Sequence, residues 1–192
     1  MELISLEDYI EQGVVARKSI KLAEVEELSN ELYKRLKRGG KLITFGNGGS
    51  AADAQHFAAE LSGKFAIDRR ALPALALTTN TSSLTAIGND TTFTEVFSRQ
   101  ITGLTNENDF VVGITTSGNS PNVLEALKVA KEQGSYTVGF TGRSGGSVNG
   151  IVDKCIRINS DYTPIIQECH VTVLHMICLE VERRIAAEGK KE

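Results

Sequence analysis

Asp109-Phe-Val-Val-Gly-Ile114-Thr115-Thr116-Ser117-Gly118-Asn119-Ser120-Pro121-Asn122 reads as a strand, a hydroxyl-rich loop and the start of a helix. The strand is apolar at nearly every position, as expected of one covered on both faces in a parallel sheet. Ser120 suits the N-cap and Pro121 the first helical position. The unpaired N–H groups and dipole of a helix start attract anions. With the hydroxyls of Thr115, Thr116, Ser117 and Ser120 converging there, the first expectation is a bound phosphate.

The same grammar recurs on either side. Lys41–Phe45, Pro73–Leu77, Asp109–Ile114, Tyr136–Phe140 and Lys154–Ile158 read as short apolar strands. Between them lie helical patterns at Ala51–Lys64, at Ser82–Ile87 with Phe93–Thr102, at Pro121–Gln133, and a weak one near Gly146–Ile151. A long last helix runs from about Thr163 to Ala187, and Leu6 to Lys37 forms one or two amphipathic helices stopped by Gly39-Gly40. The alternation predicts an α/β fold with a parallel sheet between two helical layers. Ligands of such sheets sit beyond the carboxyl ends of the strands, which directs attention to the loops after the first three.

The 192 residues suit one core, with no Pro- or Ser-rich linker. A net charge of -3, from 21 basic and 24 acidic residues, gives no bulk attraction to nucleic acid or to an anionic membrane, so a phosphate must be held locally. Cys155, Cys169 and Cys178 are odd in number and lack C-x-x-C spacing, which predicts buried, reduced thiols. The first residues carry neither a basic n-region nor a long apolar run, and no later segment approaches a membrane span; a cytoplasmic protein is expected.

Gly46-Asn47-Gly48-Gly49-Ser50-Ala51 satisfies G-x-G-x-x-A literally, but the second strand ends in Thr78-Thr79-Asn80, without the acidic residue a dinucleotide ribose needs, and no Walker loop is present. The glycines make a tight turn and let a substrate approach the backbone, with Asn47 and Ser50 as hydrogen-bonding groups. His56 and Glu60, four apart, share a helix face, either as a solvated pair or as chemistry; Asp53, one turn earlier, reads as structural. The last helix is apolar yet carries His170 and His175, which are either satisfied core residues or, with His56 and Glu60, a constellation for proton transfer or Zn²⁺.

Four ordered motifs, Gly46 to Glu60, Ala86-Ile-Gly-Asn-Asp90, Thr116-Ser-Gly-Asn-Ser120 and Ile166-Gln-Glu-Cys-His170 with His175, closely resemble the phosphoheptose isomerases of the sugar isomerase (SIS) domain superfamily. The similarity extends from about Gly40 to Ile185. The resemblance implies a five-stranded flavodoxin-like sheet, with residues 39–192 as the SIS domain and 1–38 as a helical segment packing on it and in the oligomer. It implies a homotetramer with active sites between subunits, acting on a phosphorylated ketoheptose. The implied reaction interconverts sedoheptulose 7-phosphate and D-glycero-D-manno-heptose 7-phosphate, the first step of ADP/GDP-heptose synthesis. Thr115, Thr116, Ser117 and Ser120 would hold the phosphate; Asn47, Gly48, Gly49, Ser50, Asn89, Asp90 and Gln167 would contact the substrate. His56, Glu60, Gln167 and His175 match a zinc site, one ion per subunit, and Glu60 with His175 the acid–base pair.

Gln167 and His175 are separated by about 12 Å of helical rise, so one ion is reached by both only if the helix is distorted or neighbouring subunits contribute different ligands; the second is expected. The sequence departs from the family pattern at Thr115, usually Ser; at Ile165, usually Arg; and at Thr91-Thr92, usually aromatic-Gly, which bears on sugar chain length. Two rival functions are an isomerase of another sugar phosphate and a non-catalytic SIS-fold protein of the DnaA initiator-associating type. The latter branch lacks the equivalents of Glu60 and His175, whose presence here favours an enzyme.

Overall fold

Five short, largely apolar segments pair side by side, the three central ones buried almost throughout and the two at the edges only in part. A computed structural model describes residues 3–188; the outermost residues of the segments 1–38 and 39–192 lie outside the described residues. The strands are β1 (Leu42–Gly46), β2 (Ala74–Ala76), β3 (Phe110–Ile114), β4 (Tyr136–Thr141) and β5 (Lys154–Arg157). They form one all-parallel sheet in the order β2-β1-β3-β4-β5, with Leu42 opposite Phe110 and Phe110 opposite Tyr136. This is the flavodoxin-like order, and its switch point lies between β1 and β3.

The strand period of two divides the apolar side chains between two cores. Leu42, Phe110, Val112, Ile114, Val138 and Phe140 face a layer made of α1 (Leu6–Lys18), α2 (Leu22–Lys37), α3 (Gly49–Ser62) and α7 (Thr163–Glu188). Ile43, Phe45 and Val111 face the other layer, where α5 (Ser98–Leu104) and α6 (Pro121–Glu132) pack, with α4 (Thr81–Asp90) at its edge. Gly113 admits α6 to the sheet: a Cβ there would lie 2.8 Å from side-chain carbons of Val123 and Leu127.

Most of the expected elements form, with shifts that have local causes. The helix expected from Ala51 starts at Gly49, because Gly48, at φ +57°, makes the turn by itself. The weak helix near Gly146–Ile151 is only a 3-10 turn, Ser147–Gly150. The Phe93–Thr102 helix divides into a 3-10 turn, Phe93–Glu95, and α5. The N-terminal pattern resolves into two helices, closed at Gly39 with φ +84°. Among the described residues no helix is long and apolar enough to cross a membrane. All three cysteines are free, Cys169 and Cys178 buried and Cys155 half-buried.

Candidate active site

The loops after β1 and β3 meet at the switch point and are tied side chain to side chain. Asn47 Nδ2 donates to Asn122 Oδ1, and Asn122 Nδ2 donates back to Asn47 Oδ1, both at 2.9 Å. Asn122 lies in the first turn of α6, so this closed amide pair locks the Gly48-Gly49 turn against the start of that helix. Ser50 is buried within the same turn. Sequence reasoning missed Asn122: its partner is 75 residues away, and nothing local signals the pair.

Three of the predicted phosphate-holding hydroxyls converge. Thr115 Oγ1 lies 2.9 Å from Ser120 Oγ and 3.3 Å from Ser117 Oγ. Ser120 holds the N-cap position, yet it makes no side-chain cap bond; its hydroxyl turns into the cluster instead. The cup is held from outside by the loop after β4. Gly118, at φ +68°, presses so close to it that a Cβ would lie 2.1 Å from the Gly145 carbonyl oxygen. The Gly142 N–H donates to the Thr116 carbonyl and the Val148 N–H to that of Gly118. A cavity of about 220 Å³, lined by Thr116, Ser117, Arg143, Ser160 and Ile166 among others, opens beside the cup.

A second cluster lies in the groove between α3 and α7. His56 Nε2 is 2.9 Å from Glu60 Oε1 and 3.2 Å from His175 Nε2, and one ligand atom from each residue falls within 4.8 Å of the others. The two imidazoles meet edge to face, with Phe65 packed on His175 at 5.4 Å between ring centroids. Burial lowers the His175 pKa, and charge on His56 lowers it further against the pull of Glu60, so neutral imidazole is favoured. Phe65, like Asn122, is a residue the sequence did not signal. Asp53, one turn before His56, is raised to about 6 by burial, with His56 opposing the shift.

Gln167 does not join this cluster. It packs on the first turn of α3, where a Cβ on Gly49 would meet its Nε2 at 2.5 Å. Helix α7 runs unbroken from Thr163 to Glu188, which removes the distorted-helix option and leaves Gln167 about 12 Å of rise from His175. Asn89 and Asp90 sit exposed at the end of α4, Asn89 donating to Asp90 at 2.9 Å; among the described residues no hydrogen bond joins them to the cup or to the histidines. His170 is core: fully buried, bonded through Nε2 to the Thr141 carbonyl, with burial lowering its pKa to about 4. Ile165 is likewise buried in the core.

The donor set suits a divalent metal. Ligand atoms held about 2.0–2.1 Å from a tetrahedral Zn²⁺ lie a little over 3 Å apart. His56 stands at about that spacing from both Glu60 (2.9 Å) and His175 (3.2 Å), and all three ligand atoms fall within 4.8 Å of one another, so a modest side-chain shift would gather them on one ion. Two imidazole nitrogens that face each other without an intervening donor are the arrangement a shared electrophile accepts.

Comparison with known proteins gives the family. The SIS domain family model matches residues 8–142. The phosphoheptose isomerase of Geobacter sulfurreducens is 56% identical over 154 residues, covering 80% of this chain and 82% of the relative. That of Geotalea daltonii is 54% identical over 172 residues, covering 90% and 88%. The structure of phosphoheptose isomerase GmhA from Neisseria gonorrhoeae superposes with a TM-score of 0.87 at 38% identity, covering 93% of this chain and 97% of that one. The chain belongs to the SIS domain family and, within it, to the phosphoheptose isomerases.

Proposed function

We propose that this sugar-phosphate isomerase converts sedoheptulose 7-phosphate to D-glycero-D-manno-heptose 7-phosphate through a cis-enediol, the first step toward nucleotide-activated heptose in the cytoplasm. The observation that carries the reading is the His56, Glu60, His175 cluster in a chain that also carries a hydroxyl cup for phosphate.

Moving a carbonyl from C2 to C1 needs one group to shuttle a proton between adjacent carbons and another to serve the oxygens. Glu60 takes the carbon proton: Oε1 is engaged by His56, and no hydrogen bond among the described residues occupies Oε2. His175, favoured as neutral imidazole, exchanges protons with the C1 and C2 oxygens. Thr115, Thr116, Ser117 and Ser120 anchor the phosphate, while Asn47, Gly48, Gly49, Ser50, Asn89, Asp90 and Gln167 hold the sugar hydroxyls. His56, Glu60 and His175, with Gln167 of another subunit, would hold Zn²⁺, which when bound would supply Lewis-acid polarisation of the sugar oxygens in place of the proton on His175.

The separation of Gln167 from the histidines supports a site completed by a second copy of the chain. Leu6, Ile10 and Val14 form an apolar stripe on α1, 82%, 66% and 43% exposed, of the kind a homotetramer covers. The experiment is turnover of sedoheptulose 7-phosphate by the purified protein, with Glu60→Gln and His175→Gln as controls that lose it.

A further inference from the structure

Glu60 stands in the last turn of α3, where helices fray and carbonyls lack helical partners. A buried ion pair from elsewhere closes that end. Arg69 Nη2 donates to the Glu60 carbonyl at 2.8 Å, and Nη1 to the carbonyls of Leu61 at 2.9 Å and Gly63 at 3.1 Å. Arg69 Nε donates in turn to Glu182 Oε1 at 2.8 Å, both side chains being 2% exposed.

Glu182 lies seven residues beyond His175, two turns along the same face of α7. Its carboxylate also accepts the backbone N–H groups of Phe65, Ala66 and Ile67 at 3.0, 2.8 and 3.0 Å. One carboxylate therefore orders the chain leaving α3 and sets down Phe65, whose ring lies on the His175 imidazole. Both members of the proton-transfer pair thus end their supports on the same buried ions.

We propose that Arg69 and Glu182 are positioning residues of the isomerase: together they hold Glu60 at the end of α3 and, through Phe65, the imidazole of His175. The inference rests on Glu60 and His175 being the proton-transfer pair. A lysine at 69 keeps the charge but not the fork that reaches several acceptors at once. A glutamine at 182 presents its own N–H groups to donors.

The test uses the full chain with Arg69→Lys, Glu182→Gln and Phe65→Leu, read by kcat and KM on sedoheptulose 7-phosphate, by thermal unfolding, and by proton NMR of the His175 ring, which the Phe65 ring current displaces. The expected result is folded variants whose kcat falls roughly 10- to 100-fold with KM nearly unchanged. The His175 resonances of Arg69→Lys and Glu182→Gln move toward those of Phe65→Leu. Folded Arg69→Lys with wild-type kcat and an unmoved His175 signal would overturn the proposal. Failure of all three variants to fold would also overturn it, marking the pair as core structure alone. Should the wild type turn over no heptose phosphate, the functional reading fails, and the NMR comparison still decides whether the ion pair positions His175.

Discussion

The Nε2 atoms of His56 and His175 lie 3.2 Å apart, although 119 residues separate them in the chain. Neither nitrogen gains from its neighbour unless a proton or a cation sits between them, and Glu60 stands beside His56 with a carboxylate oxygen at 2.9 Å. A cation is the better occupant, since a proton satisfies only that one pair and leaves the carboxylate in ordinary contact.

Zinc titration checks this. Metal that binds the folded chain alone stabilises it by about 2.7 kcal/mol at a hundred-fold excess over Kd. The wild type is expected to show this rise in Tm, and His56→Ala to lose most of it, while Cys155→Ser keeps it. An equal rise in His56→Ala would place the metal elsewhere.

Removing a cup hydroxyl should weaken binding without slowing chemistry. The phosphate is remote from the reacting carbons and is held alike in ground and transition states. Ser117→Ala and Ser120→Ala are expected to raise KM about ten-fold or more each, the scale of a hydrogen bond to a charged group, with kcat little changed. Initial-rate kinetics decide; a fall in kcat at constant KM would contradict the anchoring role.

If sites form between subunits, inactive chains should rescue one another. Glu60→Gln chains mixed under reversible denaturation with chains carrying Thr115→Val, Ser117→Ala and Ser120→Ala are expected to regain activity well above either parent. No recovery, with mixed oligomers shown to form, would confine the whole site to one chain.

His170 makes the fold sensitive to acid. Its pKa is lowered to about 4 in the folded state by burial, against an ordinary 6.5 when unfolded. Between these values the unfolded chain binds a proton that the folded chain does not, so stability falls as pH drops from 6.5 toward 4 and levels below. The loss from this group is on the order of 3 kcal/mol. Urea unfolding across that range should show the slope in the wild type and a flatter one in His170→Gln.

Much of this was legible because its signals are local. The strand before Thr115, the Ser120-Pro121 helix start and the Gly39 stop are written in adjacent residues, and the structure forms all three. The pairing of His56 with Glu60 follows from helix spacing alone. Its meeting with His175 was one of two readings open for the polar residues of the apolar last helix, and only family resemblance chose it, since contact between α3 and α7 depends on how two helices pack over one sheet. Asn122, Phe65, Arg69 and Glu182 were illegible for the same reason: each acts through a partner brought near by packing. The Ser120 capping bond failed because the Thr115 hydroxyl competes for the same side chain.

The proposed reaction is tested most directly by turnover across C5, C6 and C7 ketose phosphates, with Glu60→Gln in parallel. Sedoheptulose 7-phosphate is expected to be isomerised to an aldoheptose phosphate with the highest kcat/KM, and Glu60→Gln to lower turnover by about 100-fold or more while remaining folded. Wild-type protein that binds these sugars without converting any, or a Glu60→Gln variant as active as the wild type, would contradict it.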